Sequence, residues 1–447
     1  MVLEVRAKHN VRISTSCFDC FAVRVLRVST ICRCHIIRES LYDNGSVSLL
    51  YSIFFRQNSQ IFNDSTENII LFFMRIGILT LPLHTNYGGI LQAYALQTVL
   101  ERMGHDVCLI EKKRQPLRLP LWKAPLSYGK RIVKNLTGHP FPIFYEKKMN
   151  REEPIVRQNT DKFINKYIKR RIVDDFSDIK ETDFDAIVVG SDQIWRPKYF
   201  QEIEHTFLDF TEGWNIKRIA YAASFGTDKW EYTPEQTERC SNLLKQFDAV
   251  SVREKSGVSL CKEHFHIEAK HVLDPTMLLS ADDYIKLFNT TNTPESEGTL
   301  LCYILDETPE KTALVNKIAE EKHLVPFRVN SMIENPMSPL NERIQPPVEQ
   351  WLRGFYDAAF VVTDSFHACV FSILFNKPFI VFGNYERGIG RFISLFEFFN
   401  INNVLISKQH YNIRPELDYI EINKKHVLYK NNSLMLLMNC LKEQLYD

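Results

Sequence analysis

MRIGILTLPLHTNYGGILQAYALQTVLERMGHDVCLI, residues 74–110, reads as strand, turn, helix, strand. The opening run is mostly apolar, as in a strand covered on both faces of a parallel sheet. Residues 90–103 repeat apolar side chains every three to four positions, at Leu91, Tyr94, Ala95, Val99 and Met103, which predicts an amphipathic helix. Gln92, Gln97, Glu101 and Arg102 fall on the side expected to face solvent. An apolar strand at 106–110 closes the unit. Strand, crossover helix and parallel strand form the building block of an α/β domain.

The alternation continues outward from this unit. Apolar runs predict strands at 184–190, 217–223 and 247–252. The stretch 114–182 interrupts them. It is polar and basic, carries Pro116, Pro120, Pro125, Pro140, Pro142 and Pro154, and reads as an insertion with a helix near 157–170. A second series begins near 270, with strands at 270–273, 299–305, 324–329, 358–363 and 378–382 and helices at 309–322, 347–356 and 367–376. Helices near 389–400 and 432–445 form a tail. The predicted domains are therefore 74–269 and 270–385, with 386–447 as a helical tail. Both are doubly wound, Rossmann-like α/β units, and they face each other across a cleft.

Residues 1–73 differ. Apart from Gly45 they contain no Gly or Pro, and no clean period runs through them. The expected start of the native chain is Met74, with 1–73 a translated upstream stretch. Cys17, Cys20, Cys32 and Cys34 could in principle bind zinc, but Cys-x-Cys is an unusual second pair, so no metal site is expected there. The other six cysteines are widely spaced, as free buried thiols are in a reducing cytoplasm.

Formal net charge is +1, from 55 basic and 54 acidic residues. That balance excludes the electrostatic footprint of nucleic-acid binding and predicts no polybasic membrane patch. No run of about 18 apolar residues occurs, so no membrane span is expected.

Ligands of open α/β sheets bind beyond the carboxyl ends of the strands, so the residues after each strand are the candidates. After the first come Asn86, Gly88 and Gly89 at a helix start. They read either as backbone amides open to an anion or as a tight turn. After 184–190 come Ser191, Asp192, Gln193 and Trp195. Asp192 is a candidate proton acceptor and Trp195 a platform for a sugar face; the other reading of Asp192 is a helix cap. After 247–252, Arg253 could fork two hydrogen bonds to a carboxylate or phosphate, or could form a surface pair with Glu254. After 358–363, TDSFHA places Ser365 and His367 at a helix start, where an imidazole is suited to proton transfer. Arg387 and Arg391 in RGIGRF add positive charge at the cleft rim, or sit on a solvated helix face.

Taken in order, NYGGILQAYAL, VVGSDQIW, AYAASFG, SVREKSG, VLDPTMLL, VVTDSFHACVFSILFNKPFIVF and RGIGRF resemble the polysaccharide pyruvyl transferase family, over about residues 74–410. The resemblance implies a GT-B-like fold whose C-terminal helix crosses back to the first domain. It implies transfer of a pyruvyl group from phosphoenolpyruvate to a sugar of a bacterial cell-surface polysaccharide or its precursor, without a cofactor or metal. The family's histidine falls on His367 and its strand-end arginine on Arg253, both linked to the donor. His367 and Asp192 are the expected catalytic pair. Asn86, Gly88, Gly89, Arg253, Ser365, Arg387 and Arg391 are expected around the donor, and Gln193 and Trp195 around the acceptor. Many members carry an arginine where Ser365 stands, so one basic contact to the donor is either missing or supplied from elsewhere, with Arg387 and Arg391 as the candidates. Acceptor contacts are expected from 114–182. The setting implied is cytoplasmic, drawn to the inner membrane face by a lipid-linked acceptor. Two other functions fit the same segments: a glycosyltransferase using a nucleotide sugar, and a family member that binds without turnover.

Overall fold

The first sheet is assembled from strands that are far apart in sequence. In chain order its elements are β1 Arg75–Leu79, α1 Tyr87–Arg102, β2 Asp106–Lys112, α2 Ala124–Leu136, α3 Tyr145–Val156, α4 Gln158–Tyr167, β3 Arg170–Val173, β4 Ala186–Val189, β5 Lys217–Ala223, α5 Pro234–Leu244, β6 Ala249–Val252, α6 Lys255–Leu260 and β7 Lys270–His271. The seven strands lie in the order β3-β2-β1-β4-β5-β6-β7, all parallel. The switch point is between β1 and β4, where a ligand crevice is expected.

The second sheet follows α7 Ala281–Thr290. Its elements are β8 Leu300–Tyr303, α8 Pro309–Lys322, β9 Pro326–Phe327, α9 Leu340–Arg343, α10 Val348–Asp357, β10 Phe360–Thr363, α11 Phe366–Leu374, β11 Phe379–Phe382, α12 Gly390–Phe399 and β12 Leu405–Ile406. The order is β12-β11-β10-β8-β9, again all parallel. Here the switch point lies between β8 and β10. The computed structural model describes residues 73–139, 141–200, 202–333, 335–383, 388–406 and 415–442. The four amino-terminal cysteines and Arg387 lie outside the described residues.

The two sheets share one core. A single apolar cluster runs from Ile76 and Tyr87 on the first unit through Leu278 to Trp351 and Phe371 on the second. Tyr87 stacks on Trp351 with ring centroids 5.5 Å apart. The last helix, α13 Tyr419–Leu441, returns to the first unit as expected. Ser433 Oγ accepts from Leu273 N at 3.2 Å, and Lys217 Nζ donates to the Lys442 carbonyl at 2.7 Å.

Three elements depart from the sequence reading. Residues 270–271 are the edge strand of the first sheet rather than the opening of the second. Residues 170–173, inside the expected insertion, pair with β2 and extend the first sheet. The final helix begins at Tyr419, not near 432, because only Ile422 anchors its first half while Leu437, Met438 and Leu441 anchor the rest. Helix α1 also differs. Gln92 and Gln97 are buried, because α1 is covered by other elements on the side expected to be wet. Each amide satisfies backbone instead: Gln97 donates to the Tyr167 carbonyl and accepts from Lys169 N.

Candidate functional site

The turn after β4 sits on Gln92. Ser191 N donates to Gln92 Oε1 at 2.8 Å, while Gln92 Nε2 donates to Thr80 Oγ1 and to the Gly89 carbonyl, both at 3.0 Å. A buried amide thus ties the ends of β1 and β4 to the start of α1, at the switch point. Gly190 is required here: its φ is +133°, and a Cβ would lie 2.0 Å from the Tyr221 carbonyl oxygen.

Asp192 follows, buried, at the entrance to a charged knot. Arg253, at the end of β6, donates from Nη1 to Asp274 Oδ2 at 2.7 Å and from Nη2 to Asp192 Oδ1 at 3.5 Å. Its guanidinium carbon stands 4.6 Å from the Phe366 ring centre. The Arg253 carbonyl accepts from His271 Nε2 at 3.1 Å, which holds the strand end. Burial works against the Arg253 charge, but Asp274, Asp192 and Glu254 outweigh it and raise its pKa.

Arg253 and Glu254 are both buried, so they are not a surface pair. Glu254 Oε1 accepts from Ser224 Oγ at 2.9 Å and Phe225 N at 2.8 Å, and burial pushes its pKa up. Asp274 caps the turn Pro275–Leu278, with Oδ1 accepting from Thr276 N at 3.0 Å and Thr276 Oγ1 at 2.6 Å. Burial favours its neutral form, but His367, Arg253 and Thr276 outweigh that and hold its pKa below the ordinary carboxylate range.

His367 enters from the second unit, on the first turn of α11. Its Nε2 stands 3.7 Å from Asp274 Oδ2, an ion-pair distance rather than a hydrogen bond. The ring lies against Gly88: a Cβ there would fall 2.0 Å from His367 Nδ1. A Cβ on Gly89 would fall 3.4 Å from Asp192 Oδ2. Gly88 therefore lets the imidazole approach the first turn of α1, while the Asp192 carboxylate is in ordinary contact range of Gly89. Asn86 is the helix cap, its Oδ1 accepting from Gly89 N at 3.2 Å.

The neighbouring Asp364 closes the switch point of the second sheet. It accepts from Leu305 N at 2.7 Å, Asp306 N at 3.0 Å and Lys311 Nζ at 2.7 Å. Ser365 is the cap position of α11, but its side chain makes no capping bond. Arg391, at the start of α12, is buried rather than on a solvated face. Its guanidinium carbon is 5.8 Å from the Phe366 ring centre, and its pKa is pushed down to about 10 by burial and by Arg253. Phe366 thus carries two guanidinium groups.

The two expected acceptor residues fare differently. Trp195 is fully buried: it stacks on Phe207 at 5.0 Å and donates from Nε1 to the Thr206 carbonyl at 3.2 Å. It is a core residue and offers no face to a sugar. Gln193 is half-buried beside Gly226, with Oε1 accepting from Arg196 Nη1 at 3.4 Å. A separate hollow, lined by Trp230, Thr237, Glu238 and His264, shares no residue with the knot. Its Trp230 is already stacked on Tyr232 and His264, at 4.5 and 4.0 Å.

Arg253, Asp192, His367 and Arg391 are therefore brought together, with Gly88 and Gly89 as their floor. Asp274, Glu254 and Phe366 complete the set; sequence reasoning gave Asp274 and Phe366 no role and read Glu254 only as a surface partner of Arg253. Asp274 had a signal, the Leu-Asp-Pro turn after an apolar strand, but nothing local marked its partners. Arg253 Nε, Glu254 Oε2 and His367 Nε2 are buried without a hydrogen-bond partner among the described residues. Unsatisfied donors and acceptors gathered at one place mark a ligand position. Among the described residues no group of three or more His, Cys, Asp or Glu side chains is placed to hold a metal ion.

Two parallel sheets with helices, meeting at a buried charged site beyond their strand ends, define a two-unit Rossmann-like α/β protein. Residues 86–386 match the model of the polysaccharide pyruvyl transferases, and the chain belongs to that family of transferases. No curated protein matches this sequence. Among solved structures it is similar to the UDP-GlcNAc 2-epimerase of Neisseria meningitidis bound to UDP-GlcNAc, with 9% identity, 82% of this chain and 99% of that one covered, and a TM-score of 0.41. It is also similar to the UDP-GlcNAc 2-epimerase of Methanocaldococcus jannaschii, with 12% identity, coverage of 79% and 91%, and a TM-score of 0.38. For UGT89C1 of Arabidopsis thaliana complexed with quercetin the values are 9%, 82%, 94% and 0.37.

Proposed function

We propose that this chain transfers a pyruvyl group from phosphoenolpyruvate to a sugar of a cell-surface polysaccharide or its precursor, forming a cyclic ketal. The observation that carries this reading is the pair Arg253 and Arg391 on the Phe366 ring, beside His367 and Asp274. Phosphoenolpyruvate brings a carboxylate and a phosphate, and two guanidinium groups match two anionic ends. Arg391 takes the place of the family arginine missing at Ser365.

The chemistry follows from the charges. His367 protonates the methylene carbon of the enol, and the neighbouring carbon becomes electrophilic. A sugar hydroxyl bonds to that carbon and gives its proton to Asp192. The carbon–oxygen bond to phosphate then breaks, and phosphate leaves with the electron pair and takes the proton from Asp192. A second hydroxyl of the same sugar adds, and its proton returns to His367. Asp274 faces the imidazole and balances the positive charge of its protonated form. A nucleotide-sugar donor is less well served, because Asp364 already takes the Leu305 and Asp306 amides at the second switch point.

The test is ligand-dependent stability followed by turnover. Phosphoenolpyruvate should raise the thermal midpoint, since a ligand bound to the folded state alone stabilises it. His367→Ala should keep the fold and lower ketal formation by about 100- to 10,000-fold. A rise with nucleotide sugars and none with phosphoenolpyruvate would move the assignment to glycosyl transfer. Binding without turnover in the wild type would make the chain a binding module.

A further inference from the structure

Between Lys113 and Tyr145 the chain holds seven Lys and Arg and no Asp or Glu. The near-zero net charge of the whole conceals this block, so the expectation of no polybasic patch fails here. The block contains a turn, Leu121–Lys123, and helix α2, and neither buries a single residue. Leu121 is 91% exposed, Trp122 78%, Leu126 67% and Leu136 82%. Trp122, Leu126, Gly129, Val133 and Leu136 recur at alternating intervals of four and three, so they share one helix face. Lys123, Lys130 and Lys134 fall along one side of that stripe.

The opposite face is pinned to the segment that follows, residues 141–146. Arg131 donates to Glu146 at 2.6 and 2.8 Å and to the Ile143 carbonyl at 2.7 Å. Its guanidinium also lies within 6 Å of the Tyr128, Phe141 and Tyr145 rings. The outward direction of the apolar stripe is thus set by the fold. An exposed apolar stripe of this length marks an interaction surface. A second copy is a poor occupant, because the pairing would set lysines against lysines with no acid between them. An anionic lipid surface satisfies both features: the headgroup boundary takes the stripe, and lipid phosphates take the lysines. At 13 residues α2 is too short to cross about 30 Å of hydrocarbon, so it would lie in the interface.

We propose that α2 and the Leu121–Lys123 turn dock this protein on an anionic lipid surface. The segment leaves the carboxyl end of β2, the same edge of the parallel sheet that carries Asp192 and Arg253. Docking turns that edge toward the membrane, where a lipid-carried substrate would be met. The docking stands whatever reaction the knot performs.

Flotation of the full chain with vesicles reads the proposal without reading activity. Phosphatidylcholine vesicles containing phosphatidylglycerol should bind it, and vesicles of phosphatidylcholine alone should bind far less, with added salt weakening the association. L126E/V133E and, separately, K123E/K130E/K134E should each lower the partition by about tenfold or more. Because these positions are unburied, both variants should keep the wild-type thermal midpoint. Absence of wild-type binding to the anionic vesicles at low salt overturns the proposal, as does unchanged binding by both variants. A wild-type dimer that L126E/V133E dissociates also overturns it, and makes a second copy the occupant.

Discussion

The knot around Arg253 and the arm around α2 invert the usual distribution of side chains in opposite senses. In the knot, charges lie inside: Asp192, Arg253, Glu254, Asp274 and Arg391 are all buried. In the arm, apolar side chains lie outside, with basic residues and no acids. The knot tolerates burial because its charges balance within hydrogen-bond or ion-pair distance. The arm tolerates exposure because Arg131 holds the helix by its polar side. Charge matters in the first through pairing at a few ångströms and in the second through the sum of one sign. A whole-chain net charge describes neither.

The sharpest way to break the comparison is to unbalance the knot. Arg253→Ala leaves Asp274 and Asp192 facing each other without their cation and should cost about 3–5 kcal/mol of stability, read by urea unfolding. Arg253→Met with Asp274→Asn removes both charges together and should cost less than the sum of the two single changes. The pairing of Asp274 with His367 and Arg253 sets a pH dependence. The Asp274 pKa is lower in the folded state, so its contribution is full above the ordinary aspartate value of about 4 and is lost as pH falls below it. Arg253→Ala should flatten that acid limb. An unchanged limb would show that the pair does not set the Asp274 ionisation.

Gly88→Ala is the next test. The new methyl group overlaps the His367 ring, so the imidazole must move. The expected cost is about 1–3 kcal/mol, with turnover falling nearly as far as in His367→Ala. Normal turnover would show that the imidazole position is not held by the glycine floor. The smallest effect belongs to the arm. L126E/V133E should shift stability by no more than about 0.5 kcal/mol, because no packed contact is removed. A loss of several times that would mean the stripe is packed in solution.

Much of the fold was legible because its signals are local. Periods of three to four in α1 and the apolar run of β4 announce themselves within a dozen residues. Site legibility was partial. Asp192, Arg253 and His367 were found because ligands gather beyond strand ends, and each follows a strand. Trp195 also follows a strand, yet it turns into the core against Phe207, a partner that no spacing rule identifies. Gln92 was read as solvent-facing because the helix period marks an apolar side but cannot say what covers the polar one.

By itself the sequence determined the two βαβ series, the strand ends and the family motifs, since each depends on neighbours along the chain. Only the tertiary structure decided which strand ends share a site. Residues 88, 192, 253, 274, 367 and 391 meet because two sheets turn their carboxyl edges toward each other. The burial of each charge depends on partners on other elements, 21 residues away for Arg253 and Asp274 and 61 for Arg253 and Asp192. The arm is the complementary case: its composition is written in the sequence, but its exposure follows from what the fold leaves uncovered.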